Sequence, residues 1–210
     1  MAINQNPSLP NRHRLYCATS GGGKTQAMSA NLPRKGRVLL WDTHKTFRAE
    51  QHDTISGFKR AVAAAIQRNK IFFISYTGRG TPEAFEDFCS TAWDIMDGNK
   101  ETHISIDELS EVTRHGKALA HFGELLRGAR KFGGVLHISA NALPEVPTTV
   151  RRETMIKWAG MQQTYNDKKM LADFMSVKPE AFNDLKPLEF MVLENGRVRR
   201  QTIKYKIQPL

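Results

Sequence analysis

The chain has 210 residues, with 31 Lys plus Arg against 21 Asp plus Glu, so the formal net charge is +10. That length suits one α/β domain with its own core, and 40% apolar with 25% charged residues is the composition of a folded globular chain, not of a disordered tract. The longest apolar runs, Val38 to Trp41 and Ile71 to Ile74, are far short of a membrane span, while the cationic excess favours polyanionic partners, whose phosphates release counterions when neutralised.

Residues 1–13 have no apolar signal-peptide core, and Asn6 to Asn11 is polar and proline-bearing, so they read as a flexible lead-in to one domain over 14–210. A βα rhythm follows. Arg14 to Ala18 is a short strand, then come a glycine turn and a helix from about Lys24. Arg37 to Trp41 is a buried strand behind the breaker Pro33 to Gly36. Phe58, Val62, Ala65 and Ile66 form a helical stripe, and Ile71 to Tyr76 is the next strand. Thr81 caps a helix with Pro82 in its first turn, and Phe85, Phe88, Cys89, Ala92, Trp93 and Met96 recur on its core face. His103 to Ile106 is a strand, Leu119, Phe122, Leu125, Leu126 and Ala129 mark a helix, and Gly134 to Ala140 is a strand. Such alternation implies a mostly parallel sheet flanked by helices. The end differs: residues 188–206 read as a hairpin around Glu194-Asn195-Gly196. Cys17 and Cys89, without CxxC or metal-ligand spacing, read as reduced core residues.

The strongest chemical signal is Ala18-Thr-Ser-Gly-Gly-Gly-Lys24-Thr25, between a strand and a helix. Glycines let successive N–H groups turn inward toward phosphate oxygens, and the helix N-terminus adds positive potential. Ser20, Gly21, Gly22, Gly23, Lys24, Thr25 and Gln26 are therefore the expected ATP-binding residues, with Lys24 on the β and γ phosphates and the Thr25 hydroxyl on Mg²⁺. Strand His103 to Ile106 ends in Asp107-Glu108, which suits Asp107 as a second Mg²⁺ ligand and Glu108 as the group that polarises the attacking water. Away from a phosphate loop the same pair would read as a solvated cap. Asn141, ending the strand Val135 to Ala140, fits a γ-phosphate sensor; on spacing alone it merely starts a turn before Pro144. Arg130 and Arg127 close the preceding helix. They complement its dipole, or one of them, Arg130 by preference, reaches a neighbouring subunit's γ-phosphate.

Three stretches carry a resemblance. Asn141 to Arg152 (NALPEVPTTVRR) resembles the segment after the sensor strand in the FtsK/HerA superfamily of DNA-pumping ATPases. Leu40 to Phe47 is similar to that superfamily's second strand and its turn, and Leu126 to Val135 to its basic helix before the sensor strand. Within the superfamily, a bare domain of this size looks most like the genome-packaging ATPases of tailless icosahedral viruses with an internal membrane. The resemblance covers about Leu15 to Tyr165, and what it implies goes well beyond the motifs: a RecA-like (ASCE) fold, a homo-oligomeric ring, pentamer or hexamer, with ATP at subunit interfaces, and translocation of double-stranded DNA into a preformed capsid. It also implies backbone rather than base contacts, a capsid-vertex or membrane protein as partner, and residence in the host cytoplasm during assembly or in the virion.

Two other readings stay open. An assembly ATPase of the zonular-occludens-toxin type usually carries a membrane span, and no such run stands in these residues. A DNA-binding adaptor that binds nucleotide without hydrolysing it would have no need of Glu108. The basic stretch Arg197, Arg199, Arg200, Lys204 and Lys206 reads as a solvated edge strand or a phosphate-facing surface, and Arg151, Arg152 and Lys157 as a second DNA-facing set. His103 and His137, on strands, read as packed, hydrogen-bonded residues, and no histidine has metal-binding spacing.

Overall fold

A computed structural model describes residues 1–113, 118 and 120–205. The chain runs β1 (Arg14–Cys17), α1 (Lys24–Asn31), β2 (Arg37–Trp41), β3 (Glu50–His52), α2 (Ile55–Gln67), β4 (Phe72–Tyr76), α3 (Pro82–Asp94), β5 (Thr102–Ile106), α4 (Ala120–Gly128), β6 (Gly134–Ala140), α5 (Thr148–Glu153), β7 (Ile156–Ala159), α6 (Tyr165–Met175), β8 (Glu189–Glu194) and β9 (Arg197–Thr202). The nine strands form one sheet in the order β3-β4-β2-β5-β6-β1-β7-β8-β9. Its first seven members are parallel and the last two antiparallel.

Alternation along the central strands divides the core in two. Leu39 and Trp41, Ile104 and Ile106, and Leu136 and Ile138 face a large apolar cluster that also takes residues from α2 to α6. Val38 and Leu40 on β2 and Tyr16 on β1 face the other way, into a smaller cluster completed by Ala27 and Met28 of α1 and by Phe190, Val192 and Ile203 of the hairpin region. β5 and β6 are buried along their whole length, as parallel strands covered on both faces should be. Thr81 accepts a hydrogen bond from the Ala84 N–H and starts α3 as expected. The hairpin turns on Asn195 (φ 51°) and Gly196 (φ 72°), the paired left-handed residues that match strand twist.

Several elements depart from the sequence reading. β3, β7 and α6 were not legible as separate elements, and α5, a short basic helix after Val146-Pro147, only through the resemblance. β3 and β7 have only three and four residues, too few to display a period. The lead-in over 1–13 is strapped down, not loose: Ile3 N–H donates to Met96 O, Gly98 N–H to Ile3 O, and Asn6 N–H to Lys131 O. Backbone pairing needs no apolar pattern, so the polar composition gave no warning of it. Leu119, Lys206 and His115 lie outside the described residues.

β6 lies between β1 and β5, and all three point the same way. The loop after β1, the Asp107-Glu108 pair after β5 and Asn141 after β6 therefore emerge side by side at one edge of the sheet, where open parallel sheets bind ligands.

Candidate nucleotide site

The loop from Ala18 to Gly23 curls by left-handed glycines, Gly21 at φ 74° and Gly23 at φ 96°. Ala18 stands at the first loop position, where glycine is usual. It is fully buried, and its methyl lies where Gly22 and Gly160 present no Cβ, so one methyl fits. Helices α2, α3 and α6 are each capped by a threonine side chain, Thr54, Thr81 and Thr164. The N-cap of α1 is Gly23, which offers no such acceptor, and its first-turn amides are left to a ligand.

The polar side chains close into one network. Lys24 is buried, and its Nζ donates to Asn141 Oδ1 at 2.7 Å and lies 3.5 Å from Glu108 Oε1. Asn141 Nδ2 donates to Glu108 Oε2 at 2.9 Å. Thr25 Oγ1 is 3.2 Å from Asp107 Oδ2. Burial pushes the Asp107 carboxyl up to about 6; the hydrogen bond from Ser139 opposes this and the charges of Glu108 and Asp42 add to it. Lys24, Thr25, Asp107, Glu108 and Asn141 thus meet in one network, and Lys24, Thr25 and Glu108 line a pocket of about 360 Å³ together with Ser20, Gly21, Gly23 and Gln26.

The donor set suits a divalent magnesium ion. One carboxylate and one hydroxyl, both hard oxygens, stand together, and the remaining positions would fall to phosphate and water, the usual magnesium arrangement. Among the described residues, no group of three or more His, Cys, Asp or Glu forms an all-protein cage that would compete with it.

Two residues in the network were not singled out from sequence. The Ser139 Oγ donates to Asp107 Oδ1 at 2.5 Å and accepts from the Glu108 N–H at 2.9 Å, holding Glu108 at φ 51°, a left-handed conformation that is uncommon for a side chain other than glycine, asparagine or aspartate. Gln162, buried after β7, donates to the Asn141 carbonyl at 3.3 Å. Ser139 was findable: on β6 it precedes the sensor position by two residues, hence lies on the same face of the strand. Gln162 was not, because nothing in its neighbourhood announces β7.

The arginines lie elsewhere. Both precede β6, whose seven residues put its start about 20 Å from the phosphate end. Arg130, the preferred finger, is committed. Its guanidinium donates to the carbonyls of Pro7 and Leu9, fastening the N-terminal strap. Arg127 is the exposed one. Of the DNA-facing set, Arg151 bonds the Val146 and Pro144 carbonyls, and Lys157 bonds the Phe174 carbonyl and sits 3.6 Å over its ring, so both hold the fold together; Arg152 is exposed. On the hairpin, Arg199 pairs with Glu194 and Arg200 with Glu189.

The fold is that of the P-loop NTPases: an α/β, mostly parallel sheet with a glycine-rich loop at its carboxyl edge and a terminal hairpin. Among known proteins, the chain is similar to Protein P9 of Pseudoalteromonas phage PM2, 29% identical over 204 residues that span 95% of this chain and 86% of that one. No family model matches the sequence. Among solved structures it resembles the genome packaging NTPase B204 of Sulfolobus turreted icosahedral virus 2 in complex with AMPPCP, with TM-score 0.69 and 14% identity, covering 94% of this chain and all of that one. It also resembles VirB4 of Thermoanaerobacter pseudethanolicus, with TM-score 0.67 and 11% identity, covering 92% and 90%.

Proposed function

We propose that this chain is an ATP-driven motor that moves double-stranded viral DNA into a preformed capsid, acting as a homo-oligomeric ring, pentamer or hexamer. The observation that carries the reading is the meeting of Lys24, Thr25, Asp107, Glu108 and Asn141 at the mouth of the glycine loop. The packaging part leans on the likeness to the viral packaging NTPase, and on a net charge of +10 that suits sequence-independent contacts to a phosphate backbone.

In this reading, residues 20–26 cradle the triphosphate, and Thr25 with Asp107 holds Mg²⁺, which neutralises charge on the phosphate oxygens. Glu108 orients a water and accepts its proton as the water oxygen bonds to the γ-phosphorus and the bridging oxygen leaves with ADP. Asn141 touches both Lys24 and Glu108, so it is placed to report when the γ-phosphate is gone. Arg127 replaces Arg130 as the candidate trans finger, because the Arg130 guanidinium already has two carbonyl partners. The capsid vertex or a membrane protein is the proposed docking partner, the host cytoplasm and the assembling virion the proposed setting, and 14–210 the proposed single functional unit.

The test is phosphate release from ATP with and without double-stranded DNA, for the parent and for Lys24→Ala. The expected result is hydrolysis that DNA stimulates and that Lys24→Ala abolishes. Hydrolysis indifferent to DNA would remove the motor, and hydrolysis indifferent to Lys24 would remove the site.

A further inference from the structure

The phosphate loop provides for only one end of a nucleoside triphosphate. The pocket at its mouth has a second wall, made by Pro187, Leu188 and Tyr205 from the root of the terminal hairpin. Tyr205 is 67% exposed, as is Tyr165, but of the two only Tyr205 lines this pocket; Tyr16 and Tyr76 are buried in the core. An open aromatic ring beside a phosphate cradle presents a face on which a flat heterocycle can stack.

This wall is fastened to the loop. Leu188 has φ 71°, a strained conformation for a bulky residue, and such strain persists only where the surroundings fix it. Its N–H donates to the Gly22 carbonyl at 3.0 Å, and its own carbonyl accepts from the Ile203 N–H at 2.8 Å. A Cβ on Gly23 would lie 2.7 Å from Leu188 Cδ2, so the glycine is required by the approach of the leucine as well as by its own φ. The strained residue therefore joins the phosphate loop to the strand end that leads into Tyr205.

We infer that Pro187, Leu188 and Tyr205 form the base-binding wall, with the nucleotide's base stacked on the Tyr205 ring; this rests on the nucleotide site proposed above. The wall is aliphatic and aromatic, and its one polar side-chain atom is the tyrosine hydroxyl. It recognises a π-face and not an edge pattern, so it favours purine over pyrimidine triphosphates and separates adenine from guanine poorly.

The experiment is calorimetric binding of ATP, GTP, CTP and inorganic tripolyphosphate, each with Mg²⁺, to the parent, Tyr205→Ala, Tyr205→Phe and Lys24→Ala. Tyr205→Ala weakens ATP and GTP roughly tenfold, while Tyr205→Phe stays within about twofold. Tripolyphosphate, having no base, binds the parent and both Tyr205 variants alike, and the parent prefers ATP to CTP. Unchanged ATP affinity in Tyr205→Ala, or an equal loss for tripolyphosphate, overturns the base wall while leaving the phosphate site standing. Tripolyphosphate and ATP binding that ignore Lys24→Ala overturn the phosphate site itself, and the base wall with it.

Discussion

Glu101, His103, His137 and Tyr16 link side chain to side chain across the middle of the sheet, and four residues further along β5 and β6 the Asp107, Glu108 and Asn141 network begins. The first network is balanced. The Glu101 carboxylate can only accept, so His103 carries its proton on Nε2; a neutral His103 then accepts on Nδ1 from His137 Nε2–H, and His137 accepts on Nδ1 from the Tyr16 hydroxyl. It is walled in by a ladder of rings, Tyr16 on His137 and on Trp158, and Trp158 on Phe190. The second network is unbalanced. Two carboxylates stand near one ammonium, and one of them, Glu108, sits on a strained backbone and lines an open pocket. Burial and hydrogen bonding are common to both. What separates a site from a core here is uncompensated charge beside an opening, since a folded chain gains nothing from leaving it so.

The widest difference should appear on removing one charge from the second network. Glu108→Gln keeps the amide-compatible contact to Asn141 but cannot accept a proton. Hydrolysis should fall about 10²- to 10⁴-fold, the span of a lost general base, while ATP still binds. Single-turnover phosphate release together with calorimetric ATP binding checks this. A variant that hydrolyses at the parent rate would make Glu108 a structural partner of Lys24 and Asn141 and not the group that takes the proton.

The sequence made the second network readable and the first one only in outline. Gly23-Lys24-Thr25 and Asp107-Glu108 are local motifs, and strand order brings them together without further instruction. Asn141 was readable because it ends a seven-residue buried run. His103 and His137 were expected to be packed and bonded, but not to be bonded to each other, because that depends on β5 and β6 pairing in one register, His103 beside Val135 and Ser105 beside His137. The strap over 1–13 and the capture of Arg130 were hidden for a different reason. They consist of backbone carbonyls and amides, which every sequence offers equally.

Acid should strike the buried histidines first: His103 and His137 of the balanced network, and His13, which stands outside it and bonds the Leu136 N–H through Nδ1. Burial, helped by the charges of Arg130 and Arg14, brings His13 down to about 4, and burial likewise lowers His103 and His137. In the unfolded chain each titrates near 6.5. Between those values the unfolded chain binds protons that the folded chain refuses, so stability falls as pH falls from about 6.5 toward 4. For His13 alone the loss is about 3 kcal/mol by pH 4. Urea midpoints at pH 7, 5.5 and 4.5 measure the slope. His13→Asn, whose side-chain oxygen can still accept from the Leu136 N–H that now bonds His13 Nδ1, should flatten it. A slope equally steep in that variant would show that His13 is not its source.

The smallest effect has the opposite sign and sharpens the contrast most. The folded pKa of Asp107, about 6, lies above the ordinary carboxylate value of 3.8, so the folded chain binds the extra proton and stability is lost as pH rises through that window. At neutral pH its buried charge is a standing cost. Asp107→Asn removes the charge, keeps an oxygen to accept from Ser139 and adds an amide to donate to Thr25, so the variant should be more stable by about 1 to 2 kcal/mol in buffer without Mg²⁺ or nucleotide. With saturating Mg·ATP the ranking should invert, because only the parent then gains the stabilisation that ligand binding confers on a folded state. Thermal melts of the two chains in both buffers decide it. If Asp107→Asn is the less stable in both, Asp107 belongs with the balanced network, as a structural residue, and not with the site.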